Sequence, residues 1–194
     1  MRTAHVKRKT KETDIDIKIN IDGKGMNSIS TSIPFLDHML TLFSFHGKID
    51  LNIKAKGDIE IDYHHLIEDI GITLGEAIKK ALGDKKGIKR YGEAIVPMDE
   101  SLSQVVIDLS GRPYLVYKAK LPKGSLKDLD SSLFEDFFRA LSNHATMNLH
   151  IIVKYGRDLH HIFESIFKAF GRALNDASLV DKRIKEIPTT KGRF

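Results

Sequence analysis

Cysteine is absent from this chain, and with it go disulfide bridges, thiolate zinc sites and cysteine nucleophiles. Histidine and the carboxylates are the strong metal ligands that remain, so chemistry must come from His, Asp, Glu, Lys, Arg or a metal that they hold. No apolar run approaches the roughly 18–20 residues that a membrane span needs. The first residues, Met1-Arg-Thr-Ala-His-Val-Lys-Arg-Lys9, lack the apolar core of a signal peptide, so a cytoplasmic setting and no membrane partner are expected. Blocks of one charge are also missing. The formal net charge of +5 is scattered among acids, and only Lys7-Arg8-Lys9 and the stretch from Lys182 to Arg193 are locally basic. Aromatic residues interleaved with basic ones, the stacking platform of an RNA-binding surface, are not evident, so no nucleic-acid partner is expected. The basic balance fits a phosphorylated small substrate or simply a solvated surface.

What is present is ordinary globular material: 194 residues, 41% apolar and 29% charged, enough for one domain or two small fused ones. Asp14-Ile-Asp-Ile-Lys-Ile-Asn-Ile-Asp22 alternates with the period of a strand buried on one face. Ile49 to Lys56 alternates in the same way, and Ile59-Glu-Ile-Asp62 is expected to resume the strand after Gly57. Apolar residues at helical spacing predict helices over 34–45 and 66–82, with Gly83 as the stop. The order then repeats: strands over 104–111 and 113–119, a helix over 133–141, a strand over 149–154, and a helix over 161–174. In that last strand His150, between Leu149 and Ile151, is expected to pack in the core. The predicted fold class is α+β, an internally duplicated half, each a small mixed or antiparallel sheet with two helices on one face. The halves are taken as residues 1–88 and 89–194, joined near the Gly- and Lys-rich 85–92.

Residues repeat as well as elements. Asp62-Tyr-His-His-Leu-Ile-Glu68 and Asp158-Leu-His-His-Ile-Phe-Glu164 share Asp-x-His-His-x-x-Glu at a displacement of 96 residues, nearly half the chain, which indicates duplication. On a helix the second His and the Glu share a face while the first His points about 100° away, so one helix can feed two metals. The economical partition gives each metal a His-x-x-Glu pair from one half and the first His of the other. His38, 26 residues before His64, and Asp136, 24 residues before His160, occupy matching helix positions and can complete the two sets. Imidazole with carboxylate suits Mn, Fe, Co or Zn. A lone His-His pair is most simply a surface or core feature, but two matched copies with matched Asp and Glu point to metal. Two other metalloprotein classes share these features, a di-metal hydrolase and a nucleic-acid-binding protein with a structural metal.

These segments resemble a known family. Ile61-Asp-Tyr-His-His-Leu-Ile-Glu-Asp-Ile-Gly71 and Gly156-Arg-Asp-Leu-His-His-Ile-Phe-Glu164 look like the two signature segments of the imidazoleglycerol-phosphate dehydratases. Phe35-Leu-Asp-His38, Pro97-Met-Asp-Glu100, Asp108-Leu-Ser-Gly-Arg-Pro113 and Ile187-Pro-Thr-Thr-Lys-Gly192 also match, so the resemblance covers essentially the whole chain. It implies a duplicated half of the ribosomal protein S5 domain 2-like type, manganese at two ions per chain, and a 24-subunit homo-oligomer with sites between subunits. The implied reaction dehydrates D-erythro-imidazole glycerol phosphate to imidazole acetol phosphate and water in histidine biosynthesis. The chemical problem is that no carbonyl acidifies the hydrogen removed, and a metal-bound imidazolate that expels the neighbouring hydroxyl is the implied way out. By resemblance one metal takes His38, His65, Glu68 and His160, and the other Asp136, His64, His161 and Glu164. His64 and His160 are then also counted as catalytic. Many relatives carry His where this chain has Asp136. Glu12 matches the family's acid/base, although alone it would be read as a surface charge. Arg90, Arg112, Lys168, Thr189, Thr190 and Lys191 match its phosphate-binding positions.

Overall fold

The computed structural model describes residues 1–124, 126, 127 and 129–191. The end of the basic tail, residues 192–194, lies outside them. The first half runs β1 (Thr3–Lys9), β2 (Thr13–Asn20), β3 (Asn27–Ser30), α1 (Pro34–Gly47), β4 (Asp50–Gly57) and α2 (His64–Leu82). The second runs β5 (Tyr91–Met98), β6 (Ser101–Asp108), β7 (Tyr114–Lys118), α3 (Leu133–Ala145), β8 (Asn148–Tyr155) and α4 (Leu159–Ser178). Each half makes one four-stranded sheet, ordered β1-β2-β4-β3 and β5-β6-β8-β7. In both, the last pair is parallel and the others antiparallel, so the duplication extends to topology. The expected mixed sheet carrying two helices on one face is what is found.

The alternating residues turn inward. Ile15, Ile17 and Ile19 of β2 and Leu51, Ile53 and Ala55 of β4 are buried, as are Val105, Ile107, Leu149 and Ile151 in the second sheet. Every helix touches its own sheet and one helix of the other half, α2 on α3 and α1 on α4, so the helices form a shared inner layer. One continuous core results, with Phe43, Phe134, Phe137, Phe138, Phe163, Phe167 and Phe170 fully enclosed. Close helix approach depends on missing side chains. A Cβ on Gly75 would lie 2.6 Å from the Leu141 carbonyl oxygen, and one on Gly71 would lie 2.6 Å from that of Phe137.

Two expectations are corrected, and three strands stand where the sequence pattern predicts none. Residues 59–62 make no strand: 59–61 form a turn, with Ile59 and Ile61 exposed, because the chain must leave the sheet to start α2. His150 is half-buried on the face opposite Leu149 and Ile151, since alternation that buries those two sends the residue between them outward. Strands β1, β3 and β5 went unread: β1 buries little besides Val6, β3 is four residues long, and β5 has Gly92 where a Cβ would strike the Ala173 carbonyl oxygen at 2.2 Å.

Candidate metal centre

The aspartate of each repeated motif is a helix-start residue. Asp158 Oδ1 accepts from the His160 and His161 amides at 2.7 and 3.3 Å, and Asp62 Oδ1 accepts from the His64 amide at 2.7 Å. This satisfies amide groups that the first turn leaves without helical partners and puts both histidine pairs at helix N-termini.

From there the two halves cross over. His38 on α1 and His160 on α4 each place Nε2 3.0 Å from Glu164 Oε1. Together these residues offer three ligand atoms within 4.8 Å of one another. Glu164 is buried and receives Lys168 Nζ on its other oxygen at 2.6 Å, while Lys168 also touches Met98 Sδ at 3.2 Å. Burial pushes the Glu164 carboxyl up, but the Lys168 ammonium and the two imidazoles outweigh it and hold its pKa at about 2. The group is thus an ionised acceptor among nitrogen donors, and a divalent cation fits that donor set. The duplicate arrangement on the other side is looser: His64 Nδ1 lies 3.8 Å from Asp136 Oδ2, and His64 Nε2 lies 3.8 Å from Glu68 Oε2. Each cluster joins one residue of α1 or α3 to the first motif histidine and the glutamate from the opposite half.

Helix geometry alone had paired the glutamates with the second histidines. In the chain the first histidine, four residues before Glu, is the nearer neighbour, because a spacing of four lies about 40° off one face and a spacing of three about 60° off. The second histidines turn to carboxylates instead. His65 Nδ1 meets Asp58 Oδ2 at 3.0 Å, and His161 Nδ1 meets Glu100 Oε2 at 2.8 Å. These bonds raise both histidine pKa values, with the Glu12 charge adding to the effect at His65. Glu100 is held well below the usual carboxylate range by His161 first and the Asp158 amide second. A carboxylate on Nδ1 leaves Nε2 available as a lone-pair donor, the arrangement found behind metal-bound histidines. Among the described residues neither expected four-ligand set closes within one chain.

Sequence reasoning missed Asp58 and Glu100. Only the Pro97-Met-Asp-Glu100 segment was noticed, without a role. Glu12 sits exposed in the turn between β1 and β2, its carbonyl accepting from the Asp58 amide at 3.2 Å. Of the phosphate candidates, Arg90 directs its fork at Asp108, at 2.6 and 3.1 Å, and donates to the Pro188 carbonyl at 2.9 Å, which secures the segment carrying Thr189, Thr190 and Lys191. Arg112 is exposed beyond the end of β6. Lys168 lies with the His38 cluster, apart from the tail contacts made by Arg90.

A family model described as imidazoleglycerol-phosphate dehydratase matches residues 31–174. The chain is 59% identical to the imidazoleglycerol-phosphate dehydratase of Thermodesulfovibrio yellowstonii over 192 residues, 99% of each protein. It is 56% identical to that of Bacillus subtilis, again over 99% of each. Among solved structures, the enzyme of Pyrococcus furiosus in complex with (S)-C348 superposes with a TM-score of 0.85 at 36% identity, covering 97% of this chain and 100% of that one. The Staphylococcus aureus enzyme gives 0.83 at 42% identity, covering 92% and 99%. With likeness along almost its whole length and the same fold in relatives this similar, the chain belongs to the imidazoleglycerol-phosphate dehydratase family.

Proposed function

We propose that this protein dehydrates D-erythro-imidazole glycerol phosphate to imidazole acetol phosphate with manganese at two sites per chain. The observation that carries the metal reading is the approach of His38 to His160, ring centroids 5.4 Å apart, and of His64 to Asp136 at 3.8 Å, two matching pairs that each join the two halves of the chain. Its support is chemical: imidazole nitrogens beside a low-pKa carboxylate suit Mn-like ions. One set comprises His38, His65, Glu68 and His160, the other Asp136, His64, His161 and Glu164. Each contains a pair that is close within one chain, His38 with His160 and Asp136 with His64. The remaining pairs come from other copies, so the working particle is a homo-oligomer of the family's 24-subunit kind. Asp58 and Glu100 orient His65 and His161 for ligation through Nε2.

Bound manganese would supply the Lewis acidity that lets the substrate imidazole lose a proton. Chain residues do the rest. The hydroxyl on the carbon attached to the ring leaves as water, the neighbouring carbon gives up its hydrogen, and the resulting enol becomes the ketone. Glu12 carries the protons, supported by an exposed turn position and a carboxylate that makes no hydrogen bond or ion pair with the described residues. Arg112, Lys168, Thr189, Thr190 and Lys191 receive the phosphate dianion, for which ammonium and guanidinium donors are suited. Arg90 assists by fastening the tail. A spectrophotometric assay with imidazole glycerol phosphate tests this: turnover should vanish on chelation and return with manganese. Undiminished turnover in metal-free protein would overturn it.

A further inference from the structure

The turn bearing Glu12 is bolted to the helix that carries the first metal motif. Asp69 follows Glu68 on α2 and is buried. Its Oδ1 accepts from Arg8 Nε at 2.9 Å, and its Oδ2 accepts from Thr13 Oγ1 at 2.6 Å. Arg8 lies on β1 and Thr13 opens β2, so one carboxylate grips both legs of the hairpin. Inside the turn, Thr10 Oγ1 accepts from the Glu12 and Thr13 amides at 3.0 and 2.9 Å, and the Thr10 amide donates to the Thr13 carbonyl at 2.9 Å. The backbone around Glu12 is therefore held from every side while its carboxylate is left unbonded.

The duplication supplies an internal comparison. The residue after the second motif glutamate is Ser165, whose hydroxyl lies 2.6 Å from that of Ser103 on β6, both fully buried. A neutral hydroxyl pair thus suffices to dock this helix face on its sheet. In the first half the same place holds a charge, which burial disfavours unless it is paired, and the pairing recruits Arg8 from the far leg of the hairpin. Helix docking does not require that addition. The hairpin of the first half carries Glu12, and the corresponding β5–β6 turn carries Glu100, which is itself bonded to His161.

We propose that Asp69 is a positioning residue for Glu12: through Arg8 and Thr13 it holds the β1–β2 turn against α2, so that the Glu12 carboxylate stands at a fixed place next to Asp58, which bonds both the Glu12 carbonyl and His65. The proposal rests on Glu12 being the acid/base of the reaction. The test is a kinetic cycle on the manganese-loaded enzyme with Asp69→Ser, which puts the neutral residue of the second half at this helix position, Glu12→Gln, and the double variant. Asp69→Ser should lower kcat by about 10–100-fold, the effect of a displacement of about 1 Å in a reacting group, with KM changed much less. In the Glu12→Gln background it should add almost nothing, since there is no acid/base left to misplace. Arg8→Ala, at a half-exposed residue, repeats the test should Asp69→Ser fold poorly. Multiplying losses in the double variant, or normal kcat in both Asp69→Ser and Arg8→Ala, would overturn the proposal while leaving Glu12 in its role. Normal turnover in Glu12→Gln alone would overturn the acid/base reading and the proposal with it.

Discussion

Under the proposed function Glu12 and Asp136 are single residues with different tasks, proton transfer and metal ligation. Replacing Glu12 with Gln keeps the shape of the turn and removes proton transfer, which typically contributes about 10²–10⁴ in rate. Turnover should fall by that order while substrate binding, measured by calorimetry, is retained. The plain surface alternative for Asp136 is an ion pair with Arg139, three residues on. Arg139 instead bonds Glu135, and Asp136 faces His64 at 3.8 Å. Asp136→Ala is therefore expected to weaken one class of bound metal only, and Asp136→His to restore it, as read by titration with Co2+ and its absorption bands. Two ions bound with unchanged affinity in Asp136→Ala would remove this residue from the ligand set.

Among elements, the crossing of α2 with α3 is set by glycine. Alanine in an exposed helix would gain up to about 1 kcal/mol over glycine. At position 75, however, a Cβ would meet the Leu141 carbonyl oxygen at 2.6 Å, His144 Cβ at 2.9 Å and the Ala145 amide nitrogen at 3.0 Å. Gly75→Ala should reverse that sign and lower stability by about 1–3 kcal/mol, visible as a reduced melting temperature. The loop from β2 to β3 is held differently. Asp50 Oδ1 accepts from the Lys24, Gly25 and Met26 amides at 2.8, 3.1 and 3.0 Å, and the Lys24 bond leads in holding its pKa below the usual value. A carboxyl whose folded pKa is depressed stabilises above its unfolded value, and the contribution disappears as pH falls through the folded one. Asp50→Asn should accordingly cost about 1–3 kcal/mol at neutral pH. The gap to the parent protein should narrow below about pH 4, and equal deficits at pH 7 and pH 3 would show that charge is not the cause.

For the molecule as a whole, membership of a dehydratase family decides among the function classes that the repeated motif leaves open. No helix among the described residues is long and apolar enough to cross a membrane. Since neither proposed ligand set closes within one chain, isolated subunits should be inactive, and manganese should drive their assembly into the proposed oligomer. Sedimentation with and without manganese measures this, and an active, stable monomer would contradict it.

The sequence alone was enough for the elements with strong local period, such as Ile15-Asp-Ile-Lys-Ile19 in β2 and the four helices, because each pattern reports burial within a few residues. It was also enough for the duplication and for singling out His38, His160 and Glu164, which the structure brings together. The tertiary structure decided what sequence separation conceals. His38 meets Glu164 across 126 residues, and Glu100 reaches His161 across 61, with no local period to announce either contact. Helix geometry placed the motif histidines on neighbouring faces, but which one turned to Glu164 and which to a backing carboxylate depended on the groups that the opposite half and the strand turns brought there. Those partners arrive through packing of the inner helix layer, and that is settled only when both halves have folded together.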